Sequence, residues 1–156
     1  MIKIRKLEQK DKKFFNALIN SENSYYEEFL SIGWSLKQIN NQFKKSTNLA
    51  YGIFYRELLI SFIFGDLINI EKISEYEILL IYVSKNFRKK GLGTRLLKKI
   101  EENNSSLKKI YLEVSEKNLH GILFYKKMGF NIVSTRKNYF LIRNKNTNAL
   151  VMLKNY

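Results

Sequence analysis

The stretch Arg88-Lys89-Lys90-Gly91-Leu92-Gly93-Thr94 constrains the fold more than any other part of the chain. It lies between an apolar run, residues 78–83, and a segment whose Leu92, Leu96, Leu97 and Ile100 share one face at helical spacing. A strand, a turn with two glycines and three cations, and then a helix make an anion site. Glycines at 91 and 93 let the backbone expose consecutive N–H groups and let a ligand come close. The helix points its positive dipole end at the same place. A phosphate or pyrophosphate is the natural occupant. The turn is not a Walker A loop, which needs Gly-Lys-Ser/Thr after four spacers, and Leu96 stands where a dinucleotide fingerprint needs its third glycine.

A length of 156 residues suits one domain over residues 1–156, and 45% hydrophobic residues suffice for a sizeable core. There is no cysteine, and His120 is the only histidine, so thiolate chemistry and a histidine-rich metal site are excluded; no metal is expected. The longest apolar run, residues 78–83, is far too short to span a membrane, and residues 1–13 lack a signal-peptide pattern. A cytoplasmic location is the expectation. The net charge of +14 is uneven: residues 1–80 carry 11 basic and 10 acidic side chains, residues 81–156 carry 17 and 4. Lysine outnumbers arginine 22 to 6 and proline is absent, a composition that also fits AT-rich coding bias. The cations crowd the half that holds the glycine turn, a field that favours a polyanionic ligand and equally a nucleic acid.

The hydrophobic pattern predicts a mixed α/β order. Ile2 and Ile4 alternate as a strand, and Phe14, Phe15, Leu18 and Ile19 stripe a helix over residues 11–20. Ser35 and Gln38 read as a capping box before a helix with Leu36, Ile39 and Phe43. Residues 49–55 and 58–64 form a hairpin about Arg56-Glu57, and residues 76–83 a central strand. Residues 110–114 are a strand, and Asn118 caps a helix ending at Gly129. Residues 131–134 and 148–153 close the list as two strands. The glycine turn thus sits in a strand-helix-strand crossover.

Val83, Arg88-x-x-Gly91-x-Gly93, Leu112-Glu113-Val114, Asn118, Tyr125 and Gly129-Phe130, in that order, resemble the GNAT acetyltransferase superfamily. Phe124 to Phe130, Arg136-x-Asn138-Tyr139-Phe140 and Trp34-Ser35 make the chain most similar to the bacterial ribosomal-protein-alanine N-acetyltransferase family. Departures include Ser115 in place of a usual Arg, Leu119-His120-Gly121 in place of small residues, and Leu80 in place of a polar residue. The resemblance implies a mixed, mostly antiparallel sheet of about seven strands with about four helices.

It also implies acetyl transfer from acetyl-CoA to a primary amine. The backbone of Ile81, Tyr82 and Val83 would pair with the pantetheine arm. Arg88, Lys89, Lys90, Gly91, Leu92, Gly93 and Thr94 would hold the pyrophosphate, with a further contact from Asn118. Glu113 is the implied general base, since a lone carboxylate inside Ile-Tyr-Leu-Glu-Val is costly to bury without purpose. Solvent exposure at a sheet edge is its plain alternative. Tyr125 is the implied acid for the leaving thiolate, or else a core tyrosine. Tyr139 and Glu77 are expected to bind the acceptor, with Glu22, Glu27, Glu28 and Glu75 as further acidic candidates. His120 reads as an exposed residue.

An α-amine has a pKa near 7.7–8.0 and lysine near 10.4, so the α-amine is about 300-fold richer in neutral form near pH 7. That favours a protein N-terminus, such as that of a ribosomal protein, as acceptor. A small amine (a polyamine or an aminoglycoside) and a non-enzymatic nucleic-acid-binding domain are the alternatives, direct nucleic-acid binding being the less favoured. No membrane partner is expected.

Overall fold

The computed structural model describes residues 1–21, 28–142 and 144–156, without the side chain of Ser31. Seven strands form one sheet in the order β1-β2-β3-β4-β5-β7-β6. They are β1 (Ile2–Lys6), β2 (Asn48–Tyr55), β3 (Leu58–Ile70), β4 (Ile73–Val83), β5 (Leu107–Ser115), β6 (Asn131–Ile142) and β7 (Lys145–Asn155). Among the described residues there are four helices: α1 (Lys12–Ser21), α2 (Leu36–Gln42), α3 (Leu92–Glu102) and α4 (Leu119–Lys127). Only β4 and β5 pair in parallel, joined by the α3 crossover; every other pair is antiparallel.

The local signals hold. The Ser35 hydroxyl accepts from the Gln38 N–H while the Gln38 side chain accepts from the Ser35 N–H, closing the capping box of α2. Asn118 Oδ1 accepts from the Gly121 N–H at the start of α4. Gly129 ends α4 at φ 92°, and the Phe130 N–H returns to the Tyr125 carbonyl, which packs the Phe130 ring against Tyr125. The expected strands are longer than their apolar pattern. β3 runs on to Ile70 and meets β4, which starts at Ile73, across the two-residue turn Glu71-Lys72. β6 and β7 extend to Ile142 and from Lys145, because Phe140, Leu141 and Ile142 pair with Thr147, Asn146 and Lys145 and carry the ladder beyond the core.

Two apolar clusters cover the two sheet faces. One holds Ile53, Ile63, Tyr76, Ile78, Leu112 and Val114 against Leu96, Leu97 and Ile100 of α3 and Tyr125 of α4. The other packs Phe62, Phe64, Leu80 and Tyr82 against Phe15, Leu18 and Ile19 of α1, Ile39 of α2, and Phe29. Tyr76 and Ile78 belong to the first cluster and Leu80 and Tyr82 to the second, so alternation along β4 slips by one residue. The register shows where: Phe64 pairs with Leu80 and Gly65 with Ile78, leaving Leu79 as a bulge.

Candidate active site

The bulge lies where β4 leaves β5. Their pairing ends at Ile78 and Leu112, although β4 continues to Val83 and β5 stays paired with β7 as far as Ser115. A bulge bends and twists its strand, which opens a slot between the two strands. The Ser84 N–H donates to the Ile60 carbonyl, and the Tyr82 carbonyl accepts from Ser61 Oγ. Alternation therefore turns the N–H and C=O of Ile81 and Val83 into the slot. The Val83 carbonyl already accepts from Arg88 Nε at 2.8 Å. Tyr82 differs from its expected use: its main chain faces β3 and its ring is buried in the second cluster.

The glycine turn follows at the mouth of this slot. Gly91 caps α3 with φ 73°, and Lys89 has φ 59°. The first helical bond runs from the Arg95 N–H to the Gly91 carbonyl, so the amides of Leu92, Gly93 and Thr94 have no acceptor within the helix. Alternating left-handed residues before a helix N-terminus form an anion-binding concavity. Gly93 has a packing role beyond the sequence reading. It needs no left-handed backbone; a Cβ there would stand 3.3 Å from the Phe124 ring and 3.7 Å from Ile81, so glycine serves close packing of α3 on α4 and β4. Leu92 is buried, leaving only its main chain to a ligand. Lys90 Nζ donates to the Asn86 carbonyl at 3.2 Å. Arg88 Nη2 lies 2.8 Å from both oxygens of Glu28.

The other face of the sheet carries the polar side chains. Glu77 pairs with Tyr111 across β4 and β5, and Glu113 lies two residues further along β5 on the same face. β5 is an interior strand, so Glu113 is not an edge residue; its side chain is 19% exposed. Arg136 of β6 ion-pairs with it across β7, and the Arg136 guanidinium sits 4.2 Å from the centre of the Tyr139 ring. Between Arg136 and Phe140 the register slips, with Asn138 at φ 52°; such a bulge re-aims the side chain of Tyr139. Hydrogen bonding to Glu113, and then burial, raise the Tyr139 phenol above its ordinary pKa. Burial raises the Glu77 carboxyl above its ordinary pKa, helped by the negative charges of Glu113 and Asp66. The Tyr111 hydroxyl lies 3.4 Å from Glu77. The sequence marks Arg136 only as part of the Arg-x-Asn-Tyr-Phe pattern, without a role, and gives no signal for Tyr111.

Other acidic candidates are engaged with the protein's own cations. Glu28 holds Arg88, and Glu75 accepts from Lys109 Nζ at 2.9 Å. Glu22 and Glu27 lie outside the described residues. Tyr125 is 6% exposed in the first cluster, which Ile81 and Val83 also join from the slot side. Burial raises its phenol well above the ordinary value. Its ring packs on Phe124 and Phe130, and its hydroxyl makes no hydrogen bond among the described residues. Asn118 and His120 are exposed at the start of α4.

A splayed parallel strand pair above a helix-terminal anion turn, facing two carboxylates, places the chain in the class of acetyltransferases. The Acetyltransferase (GNAT) family matches residues 15–130, and the chain belongs to that family. It is 40% identical over 57 residues to N-alpha-acetyltransferase 50 of Danio rerio, covering 35% of this chain and 34% of that protein. It is 36% identical over 52 residues to a probable spermine N(1)-acetyltransferase of Bacillus subtilis subsp. natto, 31% of this chain and 34% of that protein. It is 31% identical over 74 residues to the [ribosomal protein bS18]-alanine N-acetyltransferase of Salmonella typhimurium, 46% of this chain and 50% of that protein. The matches span about a third to a half of these relatives. In fold it is similar to Arabidopsis thaliana NAA60 in complex with acetyl-CoA, with TM-score 0.80 and 17% identity over 99% of this chain and 98% of that one.

Proposed function

We propose that this chain transfers an acetyl group from acetyl-CoA to the N-terminal α-amine of a protein, a ribosomal protein being the leading candidate. The observation that carries the reading is the meeting of the slot, open on one side to the anion turn, with Glu77, Glu113 and Tyr139 on the opposite face. Acetyl-CoA supplies the thioester that is cleaved. The main chain of Ile81 in the slot and the amides of residues 92–94 fit an amide-bearing arm ending in a pyrophosphate.

The residues divide the remaining work. Glu113, positioned by Arg136 and Tyr139, receives the acceptor ammonium and takes its proton, with Glu77 as the second member of the pair. A raised carboxyl, as at Glu77, is the better proton acceptor near neutral pH. The neutral amine then forms the new C–N bond as the C–S bond breaks. Tyr125 donates its hydroxyl proton to the departing sulfur, and the proton lost by the amine restores the balance. We take the cytoplasm as the site of action.

The test is an acceptor screen with acetyl-CoA, read by intact mass: an Ala-starting peptide, a peptide with a blocked N-terminus and a free lysine, and spermine. The reading expects one acetyl group on the Ala-starting peptide at the highest kcat/KM. Preference for spermine would replace it with the small-amine reading, which uses the same two carboxylates.

A further inference from the structure

The sheet face that bears Glu77 does not stop at the acceptor site. Ile70 pairs with Ile73, Ile68 with Glu75 and Asp66 with Glu77, so these side chains share the face of Glu77 and Glu113. Ile68, Ile70 and Ile73 are 40%, 52% and 39% exposed, an apolar group at the tip of the β3–β4 hairpin. Away from the hairpin the same face continues through the half-buried Tyr111, Leu153 and Val151; Tyr111 pairs with Glu77, Leu153 with Tyr111 and Val151 with Glu113. Along β4 between Glu77 and Ile73 lies Glu75, ion-paired with Lys109, and Asp66 beside Glu77 is held by Gln42, Thr47 and Lys45. Among the described residues, α1 and α2 pack over Phe62, Phe64, Leu80 and Tyr82, and Gln42 of α2 reaches Asp66 at 2.8 Å, while Ile68, Ile70 and Ile73 beyond it stay exposed.

A track that is acidic at Glu77 and Glu113 and apolar at the hairpin tip suits a ligand with a cationic head and an apolar body. We propose that it holds the body of the acceptor polypeptide, running from its α-amine at Glu77 and Glu113 to the hairpin tip. The proposal rests on the N-terminal acceptor reading. Four residues of strand separate Glu77 from Ile73, roughly 13 Å, and an extended peptide covers that distance in about four residues. The enzyme then selects apolar side chains at about positions four to six of its substrate.

Three acceptors test it: an Ala-starting tripeptide amide, an Ala-starting octapeptide with isoleucine at positions four and six, and the same octapeptide with serine there. Wild-type enzyme should show kcat/KM about tenfold higher for the isoleucine octapeptide than for the serine one, mostly in KM. Ile70→Ser with Ile73→Ser should bring that ratio close to one, while the tripeptide, too short to reach the tip, reports on the catalytic end. An equal rate on both octapeptides in the wild type overturns the track and leaves the acceptor reading standing. A preference undiminished in the double variant also overturns the track, as does a change from dimer to monomer in sedimentation without loss of preference, which marks a self-association face. Acetylation of spermine with none of any peptide overturns the track and the acceptor reading together.

Discussion

Arg136 reaches across an intervening strand to the carboxylate of Glu113. β6 and β5 are not neighbours; β7 lies between them, with Ala149 opposite Arg136 and Val151 opposite Glu113. The small Ala149 side chain leaves room for the crossing. The Arg136 side chain is 54% exposed, and exposed pairs contribute little to stability. Arg136→Gln is therefore expected to leave the melting temperature nearly unchanged. It should still raise the acceptor KM, because Glu113 and the Tyr139 ring both lose the group that positions them. Acetyl-CoA affinity should not move. Thermal melts and steady-state kinetics check each part; an unaltered acceptor KM removes Arg136 from the site.

Tyr125→Phe separates chemistry from packing. The ring contacts with Phe124 and Phe130 remain, and the lost hydroxyl makes no hydrogen bond among the described residues, so no buried partner is orphaned. The fold should keep its stability. General acid assistance contributes about 10²–10⁴ in rate, and kcat should drop in that range with acetyl-CoA binding little changed. Full activity in the variant assigns Tyr125 to the core alone.

The strand-turn-helix unit was legible because its signals are local: an apolar run, a glycine at the cap, and leucines at helical spacing. Caps at Ser35 and Asn118 were legible for the same reason. The bulge at Leu79 was not. Nothing in Ile78-Leu79-Leu80-Ile81 marks which residue leaves the ladder, since all four are apolar and the sheet is buried on both faces. Yet that slip decides where the slot opens. The Glu113–Arg136 pair was hidden in the same way, because the strand order that joins them is set by long-range pairing. The packing role of Gly93 was not legible either, because the Phe124 ring that a Cβ there would meet is brought in by the tertiary fold.

Gly91→Val tests the anion turn. Nothing stands within 4 Å of a Cβ at this position, so the substitution meets no clash. Its cost is the φ of 73°, which a β-branched residue resists. The backbone should shift out of the left-handed region and withdraw the N–H groups from the turn. Wild-type protein should gain melting temperature with acetyl-CoA by mass action, and the variant should fold but lose that gain. A full thermal shift in the variant argues against the cradle.

Glu77 and Glu113 can be told apart by pH. Glu77 has its pKa raised by burial and by neighbouring negative charge, so the folded state holds that proton more tightly than the unfolded chain. Its contribution to stability is then complete below the ordinary glutamate value and falls as pH rises through the window up to the raised value. Glu77→Gln removes the ionisation and should melt higher than wild type at neutral pH, with the difference shrinking toward low pH. In kinetics, each Gln variant should lose acetylation of an Ala-starting peptide at pH 7. Part of the rate should return toward about pH 9, where the α-amine, with a pKa of about 7.7–8.0, deprotonates unaided. A lysine acceptor, with a pKa near 10.4, should recover much less over the same range. Rates of Glu113→Gln equal to wild type across roughly pH 6–9 remove Glu113 from proton transfer, since that range spans the α-amine pKa. The same result for Glu77→Gln confines Glu77 to acceptor binding, and its effect on melting then stands without a catalytic counterpart.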